Sequence, residues 1–249
     1  MSDGIYSALS GAIAQQRSLD VVANNVANAN TTGYRGDRVA FQEALVRSGG
    51  NGAAPDCLRF VGVSQVRADT AQGALRQTGN PLDVALQGDG FFAVETPSGV
   101  RYTRAGAFVT DQTGMLQTMD GHAVLAREVE GERTLPRIRF PAGTREVVIA
   151  TDGTVSADGV PIGRIKVVRF EQPNQLAKQG ATLFVAGQGQ PVADDETQVV
   201  QGHLEGANVN AVAGLNELIT VSRSFESFQR VIQAFRELDS RTAREVASR

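Results

Sequence analysis

The side chains most often found at hydrolytic and metal centres are scarce in this chain: two histidines, His122 and His203, and one cysteine, Cys57. A centre of either kind needs such groups to converge, at spacings such as HxxxH or CxxC that place two ligands on one turn of chain. Here each stands alone, so no metal site, cofactor or catalytic residue is expected. His122 follows Asp120-Gly121 and reads as the solvated neighbour of a turn, while His203 precedes a helical pattern and reads as a surface or interface residue. Asp111, Asp120, Asp152 and Asp158 sit beside turn glycines or in turn-like runs without the spacing of a calcium loop. They are expected to accept bonds from nearby backbone N–H groups. Gly88-Asp89-Gly90-Phe91-Phe92-Ala93 has the letters of a dinucleotide fingerprint. That motif must open a helix whose N-terminus receives a pyrophosphate, and β-favouring aromatics follow instead, so a tight turn before a strand is expected.

The elements that would position any site divide the chain into three. Near the N-terminus Ile5, Ala12, Leu19 and Val26 recur every seven residues, flanked by Ala8, Leu9, Val22 and Ala23. This stripe predicts a helix from residue 3 to about 28, ended by Asn28, Asn30, Thr31, Thr32 and Gly33. Asn24, Asn25 and Asn28 crowd three amides near its end. Helix propensity disfavours them there, and either C-capping or bonds to adjacent subunits would account for them. Near the C-terminus Leu218, Phe225 and Ile232 stand seven apart, as do Val221, Phe228 and Phe235, the two rows offset by three. That is a coiled-coil pattern over a helix from about 212 to 246. Between them, runs such as Phe91-Phe92-Ala93-Val94-Glu95 and Val147-Val148-Ile149-Ala150 alternate with turns at Gly99, Gly114, Gly121, Gly153 and Gly159, which predicts an all-β middle.

The expected fold class is therefore α+β: terminal coiled-coil-type helices packed together, with an all-β domain inserted between them. Its expected divisions are 1–48, the N-terminal helix and the segment after it; 49–77, a linker opened by the GGNGAA run, with an extended segment; 78–204, the β domain; and 205–249, the C-terminal helix. A chain of 249 residues with 41% apolar and 20% charged residues can build such a core. Its net charge of -3 gives no basic field for nucleic acid. One cysteine excludes an internal disulfide, and no stretch has the ~20 apolar residues of a membrane span, so no direct membrane insertion is expected. The first fifteen residues carry no basic and apolar leader pattern, so any export is expected without a cleaved signal.

Several separated motifs carry a resemblance. Ser10-Gly11, Leu19 and Ala23-Asn24-Asn25-Val26-Ala27-Asn28 through Thr32-Gly33-Tyr34-Arg35 resemble the N-terminal signature of the flagellar rod and hook proteins. Gly79-Asn80-Pro81-Leu82-Asp83-Val84-Ala85-Leu86, Gly88-Asp89-Gly90-Phe91-Phe92 and Tyr102-Thr103-Arg104-Ala105-Gly106 resemble that family's central motifs, and Glu205-Gly206-Ala207-Asn208-Val209-Asn210 resembles its C-terminal segment. Residues of about 135–200 carry less of the pattern. The resemblance implies a structural subunit of the basal-body rod that transmits torque in a helical tube, with the terminal helices as an inner layer and the β domain outside. It implies copies of itself and other rod subunits as partners, with basal-body rings and the flagellar export apparatus as further ones, and a place in the periplasm-spanning rod. The opening residues and the length look most like a proximal-rod subunit, with a distal-rod subunit and then a hook-type protein as alternatives. A monomeric β-rich binding module is the alternative from another class. On this reading the assembly interface is Ile5, Leu9, Ala12, Leu19, Val26, Leu218, Val221, Phe225, Phe228, Ile232 and Phe235.

Overall fold

The computed structural model describes residues 2–48, 56–127, 136–173, 176–187 and 189–247. Two helices bracket the chain: α1 (Ser2–Ala27) and α2 (Ala211–Ala247). Between them run β1 (Asp37–Ser48), β2 (Asp56–Ala68), β3 (Leu75–Gln77), β4 (Val84–Gln87), β5 (Phe91–Thr96), β6 (Gly99–Thr103), β7 (Phe108–Thr110), β8 (Leu116–Thr118), β9 (Ala123–Val124), β10 (Val147–Ile149), β11 (Thr154–Ala157), β12 (Val160–Arg164), β13 (Val167–Arg169), β14 (Ala177–Gln179), β15 (Leu183–Val185), β16 (Val192–Ala193), β17 (Gln198–Gln201) and β18 (His203–Glu205). The class is α+β, with both helices within one residue of the spans their stripes predict.

The chain forms two compact units. One comprises Met1–Ala27, Asp37–Arg67 and Asn210–Arg249; the other comprises Asn28–Gly36 and Ala68–Val209. This division differs from the expected one at three segments: 28–36, 205–209 and the extended segment before residue 78, which is split between the units after Arg67. Residues 28–36 and 205–209 belong with the β unit, because their backbones and side chains bond there. The extended segment after the expected linker is β2, which pairs with β1 in a two-stranded sheet of the helical unit. The GGNGAA run itself lies outside the described residues.

Within the β unit, β5 is the central strand, paired with β6, β9 and β13. Side chains alternate across a strand, and both faces of β5 are covered. Phe92 and Val94 enter a core with Val84, Leu86, Phe108, Leu116, Ile138, Ile165 and Val199. Phe91 and Ala93 enter a second core with Tyr102, Leu125, Val168, Phe170 and Phe184. The unbroken apolar run of β5 thus reflects burial on two sides. The rings interlock edge to face, with Phe92 against Phe108 at 5.1 Å and Phe91 against Phe184 at 5.6 Å. Each aromatic so buried contributes about 1.5–3 kcal/mol.

The turn glycines fall where the sequence puts them. Gly99, Gly114, Gly121, Gly153 and Gly159 all have positive φ. Asp111 Oδ1 accepts from Met115 N at 2.8 Å, Asp152 Oδ1 from Thr154 N at 2.9 Å and Asp158 Oδ1 from Glu146 N at 3.0 Å. His203 lies inside β18, opposite Gln77, half-buried, with Nδ1 2.9 Å from Gln201 O.

Gly106 has no positive φ, yet a Cβ there would lie 1.7 Å from Val84 O, the carbonyl of the central motif. Gly106→Ala is therefore expected to destabilise the β unit by more than about 3 kcal/mol, since backbone rather than a mobile side chain blocks the methyl. Gly121→Ala, where φ is 83° but the space is open, should cost only the left-handed penalty of about 1–2 kcal/mol. Thermal melts of both variants check the order, which a clash-free Gly106→Ala would reverse.

Candidate functional site

Two constructions stand out, one in each unit. In the helical unit α1 packs on α2, and the contact is built from glycine against bulk. A Cβ on Gly4 would lie 2.8 Å from the Phe235 ring, one on Gly11 would lie 2.6 Å from the Phe228 ring, and one on Gly214 would lie 2.7 Å from Val26 Cγ2. Gly4 and Gly11 are seven apart on one helix, Phe228 and Phe235 seven apart on the other, so the helices run antiparallel with one ring seated over each notch. A helical glycine costs about 1 kcal/mol against alanine, and the close approach of the ring offsets it. The next step of the same register pairs Ser18 with Val221, both buried.

The expected interface residues divide by face. Ala12 and Val221 are buried; Ile5, Leu19, Val26, Leu218, Phe225, Phe228, Ile232 and Phe235 are half-buried; Leu9 is 46% exposed and lies on the far side of α1 from the glycines. The glycine notches were not singled out from sequence. Their signal was there in the heptad spacing of Gly4 and Gly11, which mirrors that of the two phenylalanines.

In the β unit the separated motifs converge on a buried carboxylate. Glu205 Oε1 lies 2.8 Å from Arg35 Nη2 and accepts from Gly73 N at 2.9 Å, while Oε2 accepts from Arg104 Nη1 at 3.3 Å. The Arg35 contact is off the hydrogen-bonding line, so it is an ion pair rather than a directed bond. All three residues are at most 2% exposed. Arg104 also donates to Gly88 O at 2.6 Å and lies over the Phe91 ring, and Arg35 donates to Ala71 O. Burial pulls the Arg104 guanidinium down to about 10 against the opposing pull of Glu205, and lowers Arg35 in the same way.

The backbone closes over the same point. Gly33 N donates to Glu205 O at 2.8 Å, and a Cβ on Gly33 would meet Ala105 N at 2.2 Å. Asn208 takes Gly36 N on its Oδ1 at 2.7 Å and donates its amide to Asp69 O and Ala71 O, each at 3.0 Å. Tyr34 is fully buried, with Lys178 Nζ 3.9 Å from its ring centre. Gly88 and Gly90 leave room for Thr197 and Val167, and Gly90 N donates to Thr197 Oγ1 at 3.1 Å. The GDGFF letters therefore form a turn braced from behind and followed by a strand, as the aromatics predicted.

The asparagines have intramolecular uses. Asn25 bonds both backbone groups of Asp37, each at 2.8 Å. Asn28 Oδ1 accepts from Thr31 Oγ1 at 3.2 Å, beside the half-buried Thr32. Asn210 caps α2, its Oδ1 accepting from Val212 N at 3.0 Å and Ala213 N at 3.2 Å. Asn24 is exposed.

A depression of about 290 Å³ in the β unit is lined by charges, including Arg127, Asp152, Arg164, Lys166 and Asp194. Arg127 and Arg164 there bond Asp195 at 2.5 Å and 2.9 Å. Burial pushes the Asp194 carboxyl up, but bonds from Thr197 and Glu196 outweigh it and hold it below the usual range. These groups brace a turn rather than aim at a common point. Among the described residues no cluster of His, Cys, Asp or Glu could hold a metal ion, and no helix is long and apolar enough to cross a membrane.

Comparison with known proteins points the same way. Residues 5–35 match the family model for flagella basal body rod protein, 85–157 that for the flagellar hook protein FlgE/F/G D1 domain, and 200–245 that for the C-terminal region of flagellar basal body rod FlgEFG proteins. The chain is 36% identical to flagellar basal-body rod protein FlgF of Caulobacter vibrioides, over 98% of this chain and 97% of that one. It is 34% identical to FlgF of Escherichia coli over 94% of each chain. It is also 34% identical to flagellar basal-body rod protein FlgG of Agrobacterium fabrum, over 94% of this chain and 95% of that one.

Glu205→Gln would leave two buried guanidiniums facing a neutral amide. Removing one partner of a buried ion pair costs about 3–5 kcal/mol, so the melting temperature of the β unit should fall by roughly 6–20 °C, at about 2–4 °C per kcal/mol. A loss below about 1 kcal/mol in chemical denaturation would reduce this cluster to the rank of a surface bridge.

Proposed function

Because the chain belongs to the flagellar basal-body rod protein family, we propose that it acts without a catalytic step, as a stiff link that passes torque along the proximal rod. It is a structural subunit of the bacterial flagellar basal-body rod and resides there with other rod components. The observation that carries the mechanical reading is the seam of α1 and α2, in which rings sit directly over glycine backbone. Close-packed contacts of this kind resist shear, since displaced rings would have to climb out of their notches. On this reading the two helices form a coiled-coil inner layer with those of neighbouring subunits, and the β unit faces outward.

The proximal position is supported by the resemblance of the residues Ser2 to Gly11 to a proximal-rod subunit. Relatives named FlgF and FlgG match to similar extents, so the distal rod is the second reading. Electron microscopy of basal bodies carrying a labelled chain separates the two by the position of the label along the axis. Rod subunits are the proposed partners, with the export apparatus and the surrounding rings as further contacts.

Phe228→Asp tests the role of the seam. Its ring covers Gly11, and a carboxylate there would lose the contact and bring a charge to a dry surface, at several kcal/mol. Phe228 belongs to the helical unit, so the β unit's melting should move by less than about 0.5 kcal/mol. Basal-body occupancy and swimming should be lost in a strain carrying only the variant. Normal occupancy would remove the seam from the assembly.

A further inference from the structure

We infer that residues 197–208 form a clasp on which closure of the β unit waits: residues 28–36 and 68–196, which precede them in that unit, stay unfolded until they are present. This is a property of the fold and does not depend on the chain being a rod subunit. The clasp reaches back to segments spread through the unit. β17 pairs with β4 along its length, from Gln198 opposite Gln87 to Gln201 opposite Val84, and β18 pairs with β3, from His203 opposite Gln77 to Glu205 opposite Leu75. Val199 N donates to Thr151 O at 2.9 Å and Gly202 N to Asp83 O at 2.7 Å. The side-chain oxygen of Gln201 accepts from Ile149 N at 3.2 Å, and its amide donates to Pro81 O and Val147 O, each at 2.9 Å. Thr197 holds Gly90, Glu205 holds both buried arginines and Asn208 holds Gly36.

An open clasp over a closed body would be costly at several points. β3 and β4 would lose their ladders, and among the described residues neither strand has another ladder partner. Val84, Ala85 and Leu86 of β4 are fully buried, so opening the clasp either strands their backbone groups away from water or lets water into the core behind them. Arg35 and Arg104 would lose the carboxylate that pairs both, and breaking a buried pair from one side is strongly destabilising. The core around Phe92 would lose Val199, itself 1% exposed. Native domains are only marginally stable, so these losses together exceed what the rest of the unit can hold.

The clasp acts through its place in the chain. Any process that delivers the chain from its N-terminus, whether synthesis or threading, presents β1 to β16 before the clasp. Neighbouring strands such as β5 and β6 pair across a short turn, and local sequence gives no reason for them to wait. Closure of the unit instead needs Val199 opposite Leu86 and Glu205 against Arg35, contacts between distant residues that become available only when α2 alone is still to follow. Folding of the unit is therefore withheld until the chain is nearly complete, and it then proceeds cooperatively.

Native-state hydrogen exchange on the intact chain tests this, under conditions where the rate reports the opening equilibrium. The clasp is read at Val199 N and Gly202 N, and the body at Ala93 N, which donates to Lys166 O, and Leu125 N, which donates to Ala93 O. If the body cannot stay closed without the clasp, the protection factors of these amides agree within about tenfold and fall together as denaturant is added. A larger gap in either direction would overturn the clasp, since one part would then be opening while the other stays closed. Gln201→Ala removes the bonds to Ile149, Pro81 and Val147 without touching a buried charge. It should speed exchange about tenfold or more, and by the same factor at clasp and body amides alike. Acceleration confined to Val199 and Gly202, or none at any of these amides, would equally overturn it.

Discussion

The carboxylate of Glu205 sits at 1% exposure between two guanidiniums that are themselves cut off from water, and the closure of the β unit depends on it. Three ions in a dry interior are costly unless their geometry and hydrogen bonding are good. Here Gly73 N, Gly88 O and Ala71 O take up part of the remaining capacity, and the Phe91 face covers Arg104. The net energetic worth of such a cluster over apolar residues is small or negative. Its effect is on uniqueness: Glu205 is about 170 positions from Arg35 and about 100 from Arg104 in sequence, so the cluster is satisfied only when these distant segments are brought together.

The helical unit reaches the same specificity with shape. Gly4, Gly11 and Gly214 give up helix propensity so that Phe235, Phe228 and Val26 can approach backbone. A seam of uniform leucines would tolerate sliding by one heptad, because every layer would look alike. Setting notches against rings reduces that freedom, since after a one-heptad slide one ring still finds a glycine, Phe235 at Gly11 or Phe228 at Gly4, while the other loses its notch. The two units thus solve one problem, selection of a single register, by different physical means.

Much of this architecture was legible in the sequence. The helices were, because a seven-residue recurrence of large apolar side chains has one explanation, and so were the turns, because Gly99, Gly114, Gly121, Gly153 and Gly159 stand where left-handed φ is needed. The hairpin of β1 and β2 was not. Its strands lie on either side of a small-residue run that reads as a linker, and pairing between long strands follows from backbone bonds that leave no mark in residue type. The seam was half legible: the phenylalanines announced it, but glycine is usually read as a breaker, and its use as a socket appears only when the opposing helix is known. A stripe of apolar residues does not reveal that a helix has two apolar faces, so Leu9, on the far face of α1, was read in one interface with residues of the seam. The motif residues Arg35, Arg104 and Glu205 were visible as parts of separate signatures, while their convergence is a property of the fold.

Why asparagine recurs in those signatures follows from the path of the chain. It changes unit at four places: after Ala27, after Gly36, after Arg67 and after Val209. Near a crossing the backbone leaves regular structure, and its N–H and C=O groups lose the partners that a helix or ladder would supply. An amide side chain carries both a donor and an acceptor, so one asparagine can serve both groups of an irregular segment. Asn25 does this for Asp37 in the helical unit. Asn208 does it in the β unit, accepting from Gly36 while donating to Asp69 and Ala71, and so ties three chain segments beside three of the four crossings. Asn210 needs only its acceptor, because a helix N-terminus presents only donors. Aspartate at position 25 or 208 would keep the acceptor and lose the donor, and would add a charge at a partly buried point. These amides are therefore explained by how the chain passes between its units, with no chemistry assigned to them.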